Sequence, residues 1–510
     1  MSKSRTGKSQ NGKMKPQGKI ALFFAKLRQG VSGNVAMMYA LALVPTVGAA
    51  GAAVDMGQAM VVRQRLAEAT DAAALALGSM PGLTAAQQQA KALEFISANV
   101  PGAALGDTGS VSVTTGENTI AVHATASVDT AFMGLLGISE LEVSAESEVT
   151  RESRGMEVAM VLDNTGSMGS SGKLAALKTS MTSMINILFG ANSNPDKLKM
   201  GLVPFSETVR LDTASALAGG WIDITGTSQW ARLHFNNNMH PWSVWQSMAA
   251  ASPKWGGCVE ARPAGLEELD TPPNAAQPDT RWVPFFQPDE PDNGGYAANY
   301  LNDGVPGNSS PAQRMTNSAK YANRNTNSPN TDCSMQKILP LTNSKTTLLS
   351  YVNGMQATGY THIAIGAAWG WRVLSPTQPF SEGAAYGDSD WEKLMVLMTD
   401  GVNTIPTNNR QFLSEYTAYG YLQESRLGTQ SGNQAENVQN TRTALVCQRM
   451  KDLNIRIYTI LLMENNNTVR NMLRACATEP SMFFDTPSAS QLEGTFQAIA
   501  NELSNLRLSR

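Results

Sequence analysis

Asp163, Thr165 and Ser167 stand at alternate positions directly after the apolar run "EVAMVL". A chain in extended form points alternate side chains the same way, so one carboxylate and two hydroxyls can converge on a point. These are hard oxygen ligands of the kind Mg²⁺ takes in sets of about six at roughly 2.0–2.1 Å, often keeping some waters. The same residue types also build plain turns. A phosphate loop is a poor reading of the stretch. Counting back from Gly172-Lys173, its first glycine would have to be position 167, which is Ser, and Leu174 replaces the hydroxyl that should follow the lysine. Asp163 would also repel a phosphate.

The elements around this loop decide what it can do. Four apolar runs read as buried strands: "EVAMVLD", "LKMGLVPFS", "KLMVLMTDG" and "IRIYTILLM". Between and after them, "KLAALKTSMTSMINILFG", "THIAIGAAWGWRVLS", "ENVQNTRTALVCQRMKDLN" and "SASQLEGTFQAIANELSNL" read as helices. Continuous apolar strands alternating with helices predict an α/β fold, a doubly wound, mainly parallel sheet with helices on both faces. Ligands of such sheets sit outside the carboxyl ends of the strands, where the Asp163 loop falls. From about 213 to 353 the rhythm breaks into a segment rich in Trp, Pro, Asn and Gly. A structureless loop of that length is implausible, so a large irregular insertion is expected.

Two further stretches make the loop specific. "ATGYTHIAIGAA" carries Thr361 ahead of a helix, and "LMVLMTDGVNT" ends an apolar strand on Asp400. With D-x-T-x-S these resemble the metal-ion-dependent adhesion site of von Willebrand factor A domains, whose pattern is D-x-S-x-S; Thr165 in place of Ser keeps the hydroxyl. The resemblance implies a metal site made by Asp163, Thr165, Ser167, Thr361 and Asp400. It also implies Mg²⁺ as the ion, with Mn²⁺ and Ca²⁺ as alternatives, and a partner protein whose Asp or Glu completes the coordination. Affinity should then vanish on chelation.

The N-terminus is basic and acid-free: Lys3, Arg5, Lys8, Lys13, Lys15, Lys19, Lys26 and Arg28 precede an uncharged stretch from Gln29 to Val54. About twenty apolar residues span a bilayer, and glycine and proline are tolerated there. The basic tail is therefore read as the cytoplasmic flank of a single-pass anchor rather than a nucleic-acid arm, with the bulk exported. A cleaved signal peptide is the rival, with an unusually long charged region. Met56 to Met80 continues as helix, and "LTAAQQQAKALEFISANV" is a second helix with Thr84 as its N-cap. "GSVSVTTGENTIAVHATASVDTAF" alternates like a hairpin and "LEVSAESEVTRES" continues in strand character.

The expected organisation is a basic cytoplasmic tail (1–30), a transmembrane helix (31–55), a helical stalk (56–104), a small β unit (105–153) and the A domain with its insertion (154–510). Cys258, Cys333, Cys447 and Cys476 form no CxxC pair. In an exported chain they favour two disulfides. Of three possible pairings the sequential one is preferred, each bridge contributing roughly 3–4 kcal/mol.

"GNVAMMYALALVPTVGAAGAAVDMGQAMVVRQRLAEATDAAALA" is similar to the TadE/TadG-type anchor of the tight-adherence (Tad, or Flp) pilus machinery. "WGGCVEARP", "VPFFQPDEPDNGGYAANYLND" and the C-terminal "SASQLEGTFQAIANELSNLRLSR" resemble TadG-like proteins. That resemblance implies a pilus-assembly protein of the bacterial inner membrane, its A domain in the periplasm with reach toward the cell surface, and other Tad components as partners. A surface adhesin and a scaffold with a non-functional metal site are the alternatives. An enzyme is not expected. His123, His234, His240 and His362 form no HExxH, and "TGSMG" places Ser167 one position off a nucleophile elbow. In the insertion, Asp289, Glu290, Asp292 and Asp303 fail the EF-hand pattern at Pro291 and read as solvated turns. The aromatics Trp255, Trp282, Phe285, Phe286 and Tyr296 suit either a core or a partner surface.

Overall fold

The computed structural model describes residues 32–80, 83–99, 109–116, 119–150 and 154–508; the basic tail lies outside them. The chain divides into two compact units, Met1–Glu152 and Ser153–Arg510.

In the first unit, α1 (Ser32–Gly78) is one unbroken helix, so the expected span and the start of the expected stalk are a single element. Its Pro45 lies inside the helix, and the neighbouring Thr46 hydroxyl donates to the Ala42 carbonyl at 2.6 Å. Helix α2 (Ala85–Asn99) starts on a reciprocal cap: the Gln87 N–H donates to Thr84 Oγ1, and the Thr84 N–H to Gln87 Oε1. Strands β1 (Val111–Thr115), β2 (Thr119–Asp129) and β3 (Glu140–Thr150) form an antiparallel sheet in that order. Alternation along β2 buries Ile120, Val122, Ala124 and Ala126 against Leu66, Ala69, Ala73 and Leu77 of α1. These helical positions recur every three or four residues, the spacing of one face. The N-terminal part of α1 has no such cover: Val35, Tyr39, Leu41, Val44 and Val47 are exposed, and the helix is long and apolar enough to cross a membrane.

The second unit is built on six strands: β4 (Gly155–Asp163), β5 (Leu198–Phe205), β6 (Leu339–Thr342), β7 (Trp391–Thr399), β8 (Arg456–Leu462) and β9 (Phe483–Thr486). Their order is β6-β5-β4-β7-β8-β9, parallel except for β6. The fold is mixed α/β, a doubly wound, mainly parallel sheet with helices on both faces. Met156, Val158, Met160 and Leu162 face helices α3 (Lys173–Phe189), α7 (Lys345–Asn353) and α11 (Ala489–Leu508). Ala159 and Val161 face α8 (Ile363–Leu374), α9 (Gly432–Asp452) and α10 (Asn467–Cys476). Burial on both faces is why β4 reads as a continuous apolar run rather than an alternation. Helix α8 lies very close to the sheet because Gly370 has no side chain; a Cβ there would fall 2.4 Å from Val161 Cγ2.

The strands β6 and β9 and the helix α7 are short and carry weak periodicity, and sequence reading passed over them; it also missed the ten-residue α10, although Val469, Met472, Leu473 and Cys476 recur on one face. In particular, β6 and α7 belong to the sheet layers although they fall inside the expected insertion of about 213–353. Ahead of them, helices α4 (Thr213–Ala218), α5 (Pro241–Ser247) and α6 (Pro311–Thr316) punctuate irregular chain. Disulfides join Cys258 to Cys333 and Cys447 to Cys476. Trp255, Trp282, Phe285 and Phe286 are core residues, and Tyr296 packs partly buried against the Phe412 ring. The acids Asp289, Glu290 and Asp303 are buried, not solvated. The Lys320 ammonium sits 2.8 Å from Asp289 Oδ2, and Arg314 lies 2.8 Å from Asp303. Lys320 and Arg314 thus neutralise Asp289 and Asp303 from within, while Glu290 accepts from the Ala298 N–H.

Candidate metal centre

Three loops meet at the carboxyl ends of β4, β5 and β7. Asp163 ends β4, and Asp400 follows β7 on the neighbouring parallel strand. The loop after β4 is tied to the segment before α8: the Asn164 side chain donates to the Gln356 carbonyl, Thr358 N–H to the Asn164 carbonyl and Gly166 N–H to the Gly359 carbonyl. The backbone of Thr361 is pinned in turn, its carbonyl accepting from Thr404 N–H and the next N–H, of His362, donating to the Ser206 carbonyl. His362 is fully buried against the Tyr419 ring, and burial pushes its pKa down to about 4. It is a structural residue here.

Within this frame Thr165 Oγ1 and Ser167 Oγ are 2.9 Å apart, and Ser167 Oγ donates to Asp400 Oδ1 at 2.6 Å. Asp163 Oδ1 accepts from Thr165 N–H, while its Oδ2 accepts from the Thr399 hydroxyl at 2.6 Å. A side chain at Gly401 would lie 3.9 Å from Thr361 Oγ1, which places that hydroxyl on the Asp400 side. Asp163 is completely buried, and its carboxyl is held above the usual range, first by burial and then by the charge of Asp400.

This donor set fits a small divalent ion. Adjacent oxygens around an octahedral Mg²⁺ at roughly 2.0–2.1 Å stand about 2.9 Å apart, close to the spacings that Thr165, Ser167 and Asp400 show. Two buried acids side by side also need positive charge. Among the described residues, no group of three or more His, Cys, Asp or Glu could hold a metal, so any ion here depends on the hydroxyls.

One participant was not foreseen. Lys173, the first residue of α3, is buried and places Nζ 2.7 Å from Asp400 Oδ2. Ser171 and Gly172 both take positive φ, turning the chain so that α3 starts there. A cation at a helix N-terminus opposes the helix dipole. That mismatch was the available signal that Lys173 needed an anionic partner.

Residues 33–79 match the Flp pilus-assembly TadE/G-like family. The N-terminal helix is TadE/G-like. No curated protein matches the chain. Similar solved structures include the pilus adhesin SpaC from Lactobacillus rhamnosus GG, at 11% identity over 78% of this chain and 35% of that chain, with a TM-score of 0.33. They also include the vWF domain of the type V pili tip protein Mfa5 from Porphyromonas gingivalis, at 10% identity over 69% of this chain and 95% of that one, TM-score 0.33. Proximal thread matrix protein 1 from the mussel byssus, with a zinc-occupied MIDAS motif, is similar at 10% identity over 70% of this chain and 47% of that chain, TM-score 0.29. This chain thus spans about a third of the length of SpaC.

Proposed function

We propose that this TadE/G-like chain is a non-enzymatic, membrane-anchored pilus-assembly protein whose A domain binds an acidic side chain of a partner protein through a divalent ion. The observation that carries this reading is the oxygen cluster of Thr165, Ser167 and Asp400, with contacts of 2.9 and 2.6 Å. Thr165, Ser167 and Thr361 would offer neutral oxygens, and Asp163 and Asp400 the charge. Bound there, Mg²⁺, Mn²⁺ or Ca²⁺ would supply an electrophilic position for a carboxylate. The basic tail before α1 supports a cytoplasmic N-terminus and a periplasmic A domain, anchored in the inner membrane with other Tad pilus components as partners.

A second reading is favoured by Lys173: with its ammonium already on Asp400, the site could be a structural ion pair inside a scaffold. Affinity capture of pilus components by the full chain, with Mg²⁺ or with EDTA, separates the two. Capture that disappears with EDTA and with Asp163→Ala supports metal-dependent binding. Capture indifferent to both supports the scaffold.

A further inference from the structure

The turn between β2 and β3 is apolar and bare. From Thr130 to Ser139 it carries no charge, and it is bracketed by Asp129 and Glu140. Within it Leu135 is 86% exposed and Leu136 66%, and Phe132 and Ile138 are also exposed. Isolated apolar side chains on a surface need no explanation, but a contiguous patch does.

Its location is fixed by α1. The Asp55 carboxylate accepts from the N–H groups of Ala131, Phe132 and Met133, clamping the turn to the helix. Phe132 lies directly on Gly51, where a Cβ would come within 2.4 Å of its side chain; only glycine admits the ring. Asp55 is the first charge after the apolar stretch. At 1.5 Å per residue, Gly51 lies roughly 6 Å from Asp55 toward the uncovered part of α1. The exposed leucines therefore extend the apolar surface of that helix sideways at its outer end.

We infer that the Phe132–Ile138 turn is a second membrane contact, entering the lipid leaflet beside the point where α1 leaves it. Amphipathic segments of this kind sit about 5–10 Å into the headgroup and acyl boundary. The turn and the helix would then form a two-point attachment that holds the β1–β3 sheet against the bilayer and limits tilting of the anchor. The inference rests on the reading of α1 as a membrane anchor.

All four cysteines are in disulfides, so a single introduced cysteine can be labelled. Leu135→Cys and, as an anchor control, Leu43→Cys would carry an environment-sensitive fluorophore in the full chain, reconstituted in phosphatidylethanolamine and phosphatidylglycerol vesicles. The expected result is loss of emission at position 135 to lipids spin-labelled near the headgroup, and at position 43 to lipids labelled deeper. Quenching at 43 with none at 135 overturns the turn's role and leaves the anchor standing. Quenching at neither position overturns the anchor reading and this inference with it. Emission at 135 that is shielded from lipid quenchers and rises with protein density would assign the patch to a second copy, and would also overturn it.

Discussion

The ammonium of Lys173 and the carboxylate of Asp400 are in contact at 2.7 Å, both largely withdrawn from solvent, inside the cluster that would hold a divalent ion. Asp400 spends its other oxygen on Ser167. With an ion bound, one acid would serve two cations, one built into α3 and one from solution. Lys173 neutralises Asp400 in the metal-free site and would compete with an ion for it.

Lys173→Gln should therefore separate the two roles. Metal affinity should rise about tenfold or more, because a neighbouring positive charge is removed from a buried site. The metal-free protein should lose stability, since a buried carboxylate loses its partner. Calorimetric titration with Mn²⁺ and melting in EDTA measure the two effects. Unchanged affinity would mean that Lys173 and the ion do not meet at Asp400.

Much of the second unit was legible in the sequence because burial on both faces makes strands into apolar runs, and Asp163 and Asp400 mark where two of them stop. The hydroxyls of Thr165 and Ser167 do meet at 2.9 Å, but across a 3-10 turn at Gly166–Gly169 rather than along the extended path that their alternation suggested. What escaped reading had local causes. Strand β6 spans only Leu339–Thr342, too short for a pattern, and it sits in a segment whose composition signals irregular chain. Asp289 and Asp303 looked like solvated turn residues because their cations, Lys320 and Arg314, are more than ten positions away in sequence. Lys173 showed in the sequence as a failed phosphate-loop lysine and as a cation at a helix start, but neither names Asp400, 227 residues distant.

Another buried ion group lies at the opposite end of β4. Glu157 holds Lys393 at 2.5 Å and Lys199 at 3.1 Å, and both its oxygens accept from Ala384 N–H. Glu157→Gln should cost about 3–5 kcal/mol, the usual result of stranding a buried charge. Denaturant unfolding of the variant checks this. A cost below about 1 kcal/mol, typical of exposed pairs, would contradict the burial of the group.

Asp212 caps α4 and meets Lys337 at 2.8 Å. The Lys337 hydrogen bond, followed by the Ser215 N–H, lowers its carboxyl from 3.8 to about 2. A depressed acid stabilises fully above its unfolded pKa, so this contribution holds above about pH 4 and is lost as pH falls through about 2. Both side chains are partly exposed, so solvent screening should keep the pair under about 1 kcal/mol. Asp212→Asn retains a competent cap and should flatten this part of the acid-stability curve. An unchanged curve would show that the pairing with Lys337 adds nothing.

Whether Asp163, Thr165, Ser167, Thr361 and Asp400 hold an ion is read most directly from thermal melting of the full chain with Mg²⁺ or Mn²⁺ and with EDTA, wild type beside Asp163→Ala. A ligand bound only by the folded state stabilises it by about 2.7 kcal/mol at a hundredfold excess over Kd. A bound ion should give a metal-dependent rise in melting temperature that EDTA reverses and that Asp163→Ala lacks, whatever the variant's own starting stability. If wild type and variant respond alike to metal and chelator, Asp163, Thr165, Ser167, Thr361 and Asp400 do not hold an ion. The Lys173–Asp400 pair would then be the final state of the site.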